Sequence, residues 1–333
     1  MKANMAAGEA LILAVFYQSE QVGCIEFVTT HEPVFYYSTH WLSKEQNFPI
    51  SLSMPLGEIK YQHPLCFNFF DNFLPEGKLR AIFAAAKQSS EQNLYQLLKN
   101  LNSDLPGALE FAPLESRKKS QKMQPVDVPR QPLSFKKLNH LLEQESSLYE
   151  GLIESEGAEF SIAGMQDKFT CQYEPNSNEI FLVFGRMPST HIVKVNPKWK
   201  NNQIVPNEYF CMNLAKKIGL PVPRMFLENL ASKENPILIL ERFDRAMSES
   251  KNNIERIHQE DLCQVFGFHS STKYEHEGGP SFESIYKRVK NESTKPIQDL
   301  GYLLDWLVFN FIIGNNDSHA KNLSVLLNPL PHK

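Results

Sequence analysis

Gly314-Asn315-Asn316-Asp317-Ser318-His319-Ala320-Lys321-Asn322 follows a strongly apolar stretch, Leu303 to Ile313, and precedes the short apolar run Leu323 to Leu327. Four residues separate an aspartate from an asparagine, the D-x-x-x-x-N spacing of phosphoryl-transfer loops. In such loops the Asp accepts the proton of the attacking hydroxyl, and the Asn holds a metal ion on the nucleotide phosphates. A carboxylate suits the first task because it is ionised at neutral pH and can take a proton as the phosphoryl group departs. No Asp or Glu follows Asp317 in the 333 residues. The second metal-binding carboxylate of the D-F-G kind is therefore not expected downstream of this loop.

Three upstream segments stand in the order that a phosphotransfer site needs. Ser161-Ile162-Ala163-Gly164-Met165-Gln166-Asp167-Lys168 consists of small and polar residues ahead of a strand, which suits main-chain N–H groups approaching phosphate oxygens. Its single glycine satisfies neither nucleotide-binding glycine pattern, so an ordinary turn is the plainer reading. Lys194 lies in the apolar strand Ile192-Val193-Lys194-Val195, just before a helix. It reads either as a solvent-facing lysine or as a strand lysine reaching phosphates, held by an acid on the next helix. Glu208 is the candidate acid, although the same position also suits a helix N-terminal dipole. Ile237-Leu238-Ile239-Leu240-Glu241-Arg242-Phe243-Asp244-Arg245 is an apolar strand ending abruptly in charge. It reads as a hinge whose Glu241 to Phe243 backbone binds an adenine edge under Phe243, or as a core strand with a surface salt-bridge cluster.

With 42% apolar and 22% charged residues, the chain is ordinary globular material. A net charge of −4 gives no general attraction to polyanions. The basic run Arg117-Lys118-Lys119 sits in a segment of Ser, Lys, Gln and Pro without interleaved aromatics, and reads as a solvated linker. Five scattered cysteines without a C-x-x-C pair fit a reducing cytoplasm. Ala10 to Tyr17 follows Glu9 without a convincing cleavage site and reads as a strand rather than a leader. Leu303 to Ile313 contains Asp305 and Asn310 and is too short to cross a bilayer. The ten histidines form no H-x-x-x-H or H-E-x-x-H pair, so zinc chemistry is unsupported, and His319 is assigned a loop-orienting role.

Periodicity predicts a small antiparallel sheet over residues 10–40, then helices carrying Leu79, Ile82, Phe83 and Ala86, and Leu94, Leu97 and Leu98. Beyond the linker it predicts a helix over 135–149 and strands near 169–173, 180–184 and 190–195. A helix over 207–218 follows, capped by Asn207, with Phe210, Leu214 and Ile218 as its apolar stripe and Gly219 and Pro221 as its stop. Strands at 225–228 and 236–241 come next, and the remainder is read as mostly helical.

Taken in order, Ser161 to Lys168, Thr190-His191-Ile192-Val193-Lys194, Asn207-Glu208-Tyr209, Glu241 to Arg245, Gln259-Glu260-Asp261-Leu262-Cys263-Gln264, Lys273-Tyr274-Glu275, Gly278-Gly279-Pro280 and Asn316 to Asn322 closely resemble the HipA family of bacterial toxin kinases. Pro49 to Leu56 and Asp71-Asn72-Phe73-Leu74-Pro75-Glu76-Gly77 look like the small domain that precedes the core in that family. The resemblance implies an α+β fold: a bilobal protein-kinase-like core behind a small α+β N-terminal domain, with an incomplete C-terminal lobe. The division it implies is an N-terminal subdomain at 1–112, a linker at 113–134, an N-lobe-like region with ATP loop and hinge at 135–245, and a partial helical C-lobe with the catalytic loop at 246–333.

By the same resemblance the chain is expected to be a serine/threonine kinase toxin that phosphorylates a translation component, such as an aminoacyl-tRNA synthetase, and slows growth in the cytoplasm. ATP would be bound by Ala163, Gly164, Met165, Gln166, Asp167, Lys168, Lys194, Glu241, Arg242, Phe243, His319 and Lys321. Asp317 would be the catalytic base, Asn322 a Mg²⁺ ligand and Ser161 a regulatory autophosphorylation site. The implied partner is a helix-turn-helix antitoxin of the HipB type, with DNA reached only through it. The alternative is a catalytically dead nucleotide-binding or antitoxin-binding protein acting by sequestration or co-repression. Apolar surface around Leu303 to Phe311 is expected to stand uncovered.

Overall fold

The computed structural model describes residues 11–101, 104–114, 130–143, 148, 151–152, 168–185, 187–196, 203–230, 236–247 and 254–327. The first unit is an antiparallel sheet in the order β3-β2-β1-β4, built from β1 Leu11–Tyr17, β2 Glu20–Thr29, β3 Glu32–Tyr37 and β4 Leu109–Pro113. Alternation along β2 sends Gly23, Ile25 and Phe27 inward and Glu26 and Val28 outward, which is the period-two pattern of a half-covered sheet. Covering it are α1 Thr39–Leu42, α2 Leu65–Asp71, α3 Gly77–Ala86 and α4 Leu94–Lys99. Phe69, Phe70, Phe73 and Phe111 pack edge-on with ring centroids 5.0–5.7 Å apart, so α2 is fastened to β4 by aromatic burial.

The second sheet runs β5-β7-β6-β8-β10-β9, with β5 Gln131–Leu133, β6 Lys168–Glu174, β7 Glu179–Leu182, β8 His191–Lys194, β9 Met225–Asn229 and β10 Pro236–Glu241. Helix α5 Phe135–Glu143 follows β5, and α6 Ile204–Lys217 lies between β8 and β9. Helix α6 starts a turn earlier than the sequence suggests, because Pro206 is tolerated in a first turn that needs no N–H donor there. Its N-terminus is capped across space, Val205 N–H donating to Asn196 Oδ1 at 2.9 Å, so Asn207 is an interior residue and not the cap.

The apolar stripe of α6 also differs from expectation. Val205, Tyr209 and Met212 pack on Leu238 and Leu240 of β10, one face of a 3.6-residue period. Phe210, Leu214 and Ile218 consequently point outward. The predicted stop holds, with Gly219 in the left-handed region at φ +88°.

The last part is less helical than expected. A ribbon of β11 Arg245–Met247 and β12 Ile254–Arg256 leads to β13 His258–Asp261, which pairs with β14 Ser324–Leu327. Between β13 and β14 lie α7 Leu262–Phe266, α8 Phe282–Glu292 and α9 Pro296–Ile312. On α9, Leu304, Val308, Phe311 and Ile312 are exposed, as the composition of that stretch implies. No helix among the described residues is long and apolar enough to cross a membrane.

A buried charge cluster joins the three parts. Arg242 donates to Asp104 Oδ2 at 2.8 Å, to both oxygens of Asp244 at 2.7 and 2.9 Å, to Ser189 Oγ and to the Leu105 carbonyl. Arg245 holds the other oxygen of Asp104 at 2.8 Å, and Gly107 N–H reaches Asp244 Oδ2 at 2.7 Å. Gly107 sits at φ +75°, and a Cβ there would stand 2.9 Å from Gln259 N, so only glycine lets the two segments meet. Burial alone would raise the Asp104 acid, but the guanidinium groups of Arg242, Arg245 and Arg256 hold it at about 2. The salt bridges at the charged end of β10 are therefore core structure rather than a surface cluster. Removing one partner strands the others in low dielectric. Asp104→Ala is expected to cost about 3–5 kcal/mol in urea unfolding, whereas Glu283→Ala, which breaks only the exposed pair with Lys287, should leave the urea midpoint essentially unmoved.

Candidate functional site

Antiparallel register places Lys168 of β6 directly opposite Lys194 of β8. Like charges facing each other across a ladder destabilise it, so their retention demands a compensating anion. Lys194 has one in Glu208 of α6, with which it forms an ion pair. This is the lysine–glutamate arrangement that protein kinases require between the sheet and the following helix. Burial, and then the Lys194 ammonium, push the Lys168 amine down to about 8.

The loop 314–322 leaves the end of α9. Asn315 pins it: its side-chain amide donates to Asn310 Oδ1 at 2.6 Å, and its Oδ1 accepts Asp317 N–H at 3.1 Å. Asn322 Nδ2 donates to the Asp317 carbonyl, closing the loop on itself. With its nitrogen so engaged, the Asn322 amide presents its oxygen as the donor atom for a hard cation.

The Asp317 side chain is 78% exposed. Tyr274 O–H donates to its Oδ1 at 2.7 Å, and that bond, followed by burial, raises the phenol to about 12. The same ring stands edge-on to His319, centroids 5.0 Å apart. Burial and the nearby Lys273 ammonium lower His319, so it is a neutral imidazole at pH 7, with Nε2 3.6 Å from Asp317 Oδ1. The segment carrying Tyr274 supports the loop through Ala320 N–H to the Lys273 carbonyl at 3.1 Å. Gly279 folds that segment tightly, since a Cβ there would lie 2.3 Å from the Thr272 carbonyl oxygen.

Lys321 and Glu76 bring the N-terminal unit into the site. The Lys321 ammonium is buried between Asn72 Oδ1 at 2.6 Å and Asp261 Oδ2 at 2.7 Å. Burial works against its charge, but the Asp261 carboxylate prevails and holds the amine above its usual range. Asp261 also caps α7 in a capping box with Gln264, so one carboxylate fixes both a helix start and the loop lysine. Glu76 pairs with Lys273 at 2.9 Å and lies within electrostatic reach of Lys168, Tyr274, His319 and Lys321.

Glu76 thus links Lys168 to His319 and Lys321, while Lys194 faces Lys168 across the ladder and Asp317 and Asn322 share the loop of His319 and Lys321. Arg242 is turned away into the buried clamp with Asp104 and Asp244, and its N–H donates to the Thr190 carbonyl. Glu241 N–H is likewise engaged, by the Arg224 carbonyl, while Phe243 is 58% exposed. Ser161 and Ala163, Gly164, Met165, Gln166 and Asp167 lie outside the described residues. Glu76, Lys273 and Tyr274 had no role assigned from sequence, although they stand in the Leu74-Pro75-Glu76-Gly77 and Lys273-Tyr274-Glu275 segments that carry the resemblance.

The HipA N-terminal domain model matches residues 13–112, and the HipA-like C-terminal domain model matches residues 160–332. The chain belongs to the HipA family. Y4mE of Sinorhizobium fredii is 34% identical over 88% of this chain and 68% of its own length. The serine/threonine-protein kinase toxin HipA of Shewanella oneidensis is 26% identical over 98% of this chain and 73% of its own length. In structure, the HipA of the S. oneidensis complex of HipA, HipB and operator DNA is similar with a TM-score of 0.74 at 26% identity, covering 95% of this chain and 73% of that one. The α+β architecture is that of a HipA protein, and the family includes a kinase toxin.

A polyphosphate drawn to these lysines favours their charged forms, so binding near pH 8 should be coupled to proton uptake by Lys168. Titration calorimetry with ATP in buffers of different ionisation enthalpy is expected to show that uptake at pH 8 and to show it much reduced at pH 6. Lys168→Met should abolish it.

Proposed function

We propose that the chain is an ATP-dependent serine/threonine protein kinase, the toxin of a toxin–antitoxin pair. Its target is a translation component such as an aminoacyl-tRNA synthetase, phosphorylated in the cytoplasm to arrest growth. The observation that carries this reading is that Glu76 of the N-terminal unit lies within electrostatic reach both of Lys168, which faces Lys194 across β6 and β8, and of Tyr274, which hydrogen-bonds the exposed Asp317.

Each residue then has a task. Lys168 and Lys194 attract the phosphates of ATP, with Glu208 keeping Lys194 in place. Asp317 accepts the proton of the substrate hydroxyl, and Tyr274 fixes which of its oxygens is turned to the substrate. Asn322 offers an amide oxygen, of the kind that suits Mg²⁺ shared with nucleotide phosphates. When bound, that ion neutralises charge developing on the transferred group. Lys321 acts as a buried tie that holds the loop to Asp261 and Asn72. Phosphorylation of Ser161 would place two negative charges in the segment proposed to hold ATP, switching the enzyme off.

The kinship with a HipA solved together with HipB and operator DNA supports a HipB-type helix-turn-helix antitoxin as partner, with DNA contacted through it.

Incubation with labelled ATP and Mg²⁺ is expected to show transfer to the chain itself or to a protein of bacterial extract. Asp317→Asn should lower kcat by about 10²–10⁴, the usual contribution of a general base, while ATP affinity by calorimetry holds. Transfer unaltered in this variant would refute the assignment. Tyr274→Phe keeps the ring against His319 but removes the donor. It should reduce kcat roughly 3- to 10-fold, the worth of one ordinary hydrogen bond, leaving KM for ATP unchanged.

A further inference from the structure

Glu260 of β13 is 1% exposed, and among the described residues no ion pair reaches it. Its surroundings instead form a row of oxygens. Glu260 Oε2 is 2.5 Å from Ser51 Oγ, Ser51 Oγ is 2.7 Å from Ser53 Oγ, and Ser53 Oγ is 2.9 Å from the Gln264 carbonyl oxygen. Each of these three contacts needs one hydrogen.

The Gln264 carbonyl has none, so the Ser53 hydroxyl donates to it. The Ser51 hydroxyl must therefore donate to Ser53, while its own oxygen accepts Ser53 N–H at 3.0 Å. Both hydroxyl hydrogens are then assigned, and the shortest contact of the row still lacks one. The remaining source is the carboxyl group. Its other oxygen accepts Leu52 N–H at 2.8 Å, which leaves Oε1 as the carbonyl end and Oε2 as the hydroxyl end of an acid.

We propose that Glu260 is held as a neutral carboxylic acid, and that its proton latches the 49–55 segment of the N-terminal unit to the strand pair that carries the loop 314–322. Glu260 stands opposite Val325 in the β13–β14 register, and its neighbour Asp261 holds Lys321, so the latch bears on the C-terminal end of the loop. The hydrogen count stands on geometry alone; calling the tethered loop catalytic rests on the proposed function.

Burial is the largest influence on Glu260 and opposes its ionisation, outweighing the Leu52 N–H, which favours it. Asp261, next in the chain, opposes its ionisation, and Arg288 of α8 favours it more weakly than burial opposes it. Tyr37 of β3 is a neutral phenol donating to the Met54 carbonyl. His258, on the same strand, is lowered to about 4 by burial and donates from Nε2 to the Ile50 carbonyl, so it is neutral as well. Burial pushes the Glu260 acid up to about 8.

The sign of the pH dependence follows. Above the ordinary carboxylate range the unfolded chain has released this proton and the folded chain keeps it. Stability from this group therefore declines as pH rises towards about 8 and levels off beyond it. Glu260→Gln reproduces the latch with an amide, N–H towards Ser51 and carbonyl towards Leu52, without a titrating proton.

Thermal melts of both proteins between pH 5 and 9 are expected to show the variant gaining several degrees on the wild type up to pH 8, then a constant gap. A gap independent of pH, or a wild type more stable than the variant at pH 8, would overturn the assignment. Infrared spectra of the wild type, which need no variant to fold, should contain the carbonyl stretch of a protonated buried acid at pH 7. That band should be missing from Glu260→Gln, and its absence from the wild type would equally overturn the proposal. Neither readout uses phosphotransfer, so a failed kinase assay leaves this test intact, and a failed latch leaves the kinase reading intact.

Discussion

Everything in this molecule is referred to the guanidinium of Arg242. It bonds Asp104 from the end of the N-terminal unit, Ser189 ahead of β8 and Asp244 ahead of the last part. A buried ion pair gains little over an apolar contact of the same shape, but once formed it tolerates one geometry only, because any misplaced member leaves a charge in low dielectric. Two arginines share two aspartates here, with Arg256 near Asp104 as a third cation. Such a cluster adds precision rather than great stability. Sheets and helices that would otherwise rock against one another are set in a single register.

That precision is what the site needs. Lys168 and Lys194 repel across the ladder, and Glu76 and Asp317 come from segments far away in sequence. A site assembled from three parts of a chain works only if those parts keep their spacing to a fraction of an ångström. The N-terminal unit is thus not an appendage. Asn72 holds the loop lysine, Glu76 balances the cations, and Asn68, Asn72 and the Phe69 carbonyl bind the segment around α7. Polar bonds of this kind, directional and buried, orient a loop where apolar packing alone would allow it to slide.

Much of this was legible beforehand. Strand and helix positions followed from alternation and from leucine spacing, as at Ile25 and Phe27 or at Leu94, Leu97 and Leu98. The D-x-x-x-x-N loop and the Lys194 strand were visible as local text. Misreadings occurred where a neighbour outvoted local pattern. Phe210, Leu214 and Ile218 look like a core stripe, yet Glu208 must face Lys194, and that rotation turns them outward. Asn207 looks like a cap, yet Asn196 performs that task from another segment. Arg242 looks like part of a surface hinge and is instead the centre of a buried clamp.

Residue order therefore determined the element types, the D-x-x-x-x-N loop and membership of the HipA family, because each depends on contacts a few residues apart or on an ordered set of short motifs. Tertiary structure alone decided which charges meet. That Lys321 belongs to Asn72 and Asp261, that Glu76 stands among the lysines, and that Glu260 has a serine instead of a cation beside it are contacts spanning roughly 60 to 250 positions. Periodicity carries no information over such separations. Only the register of β6 on β8 and of β13 on β14, with the Arg242 clamp, fixes those pairings.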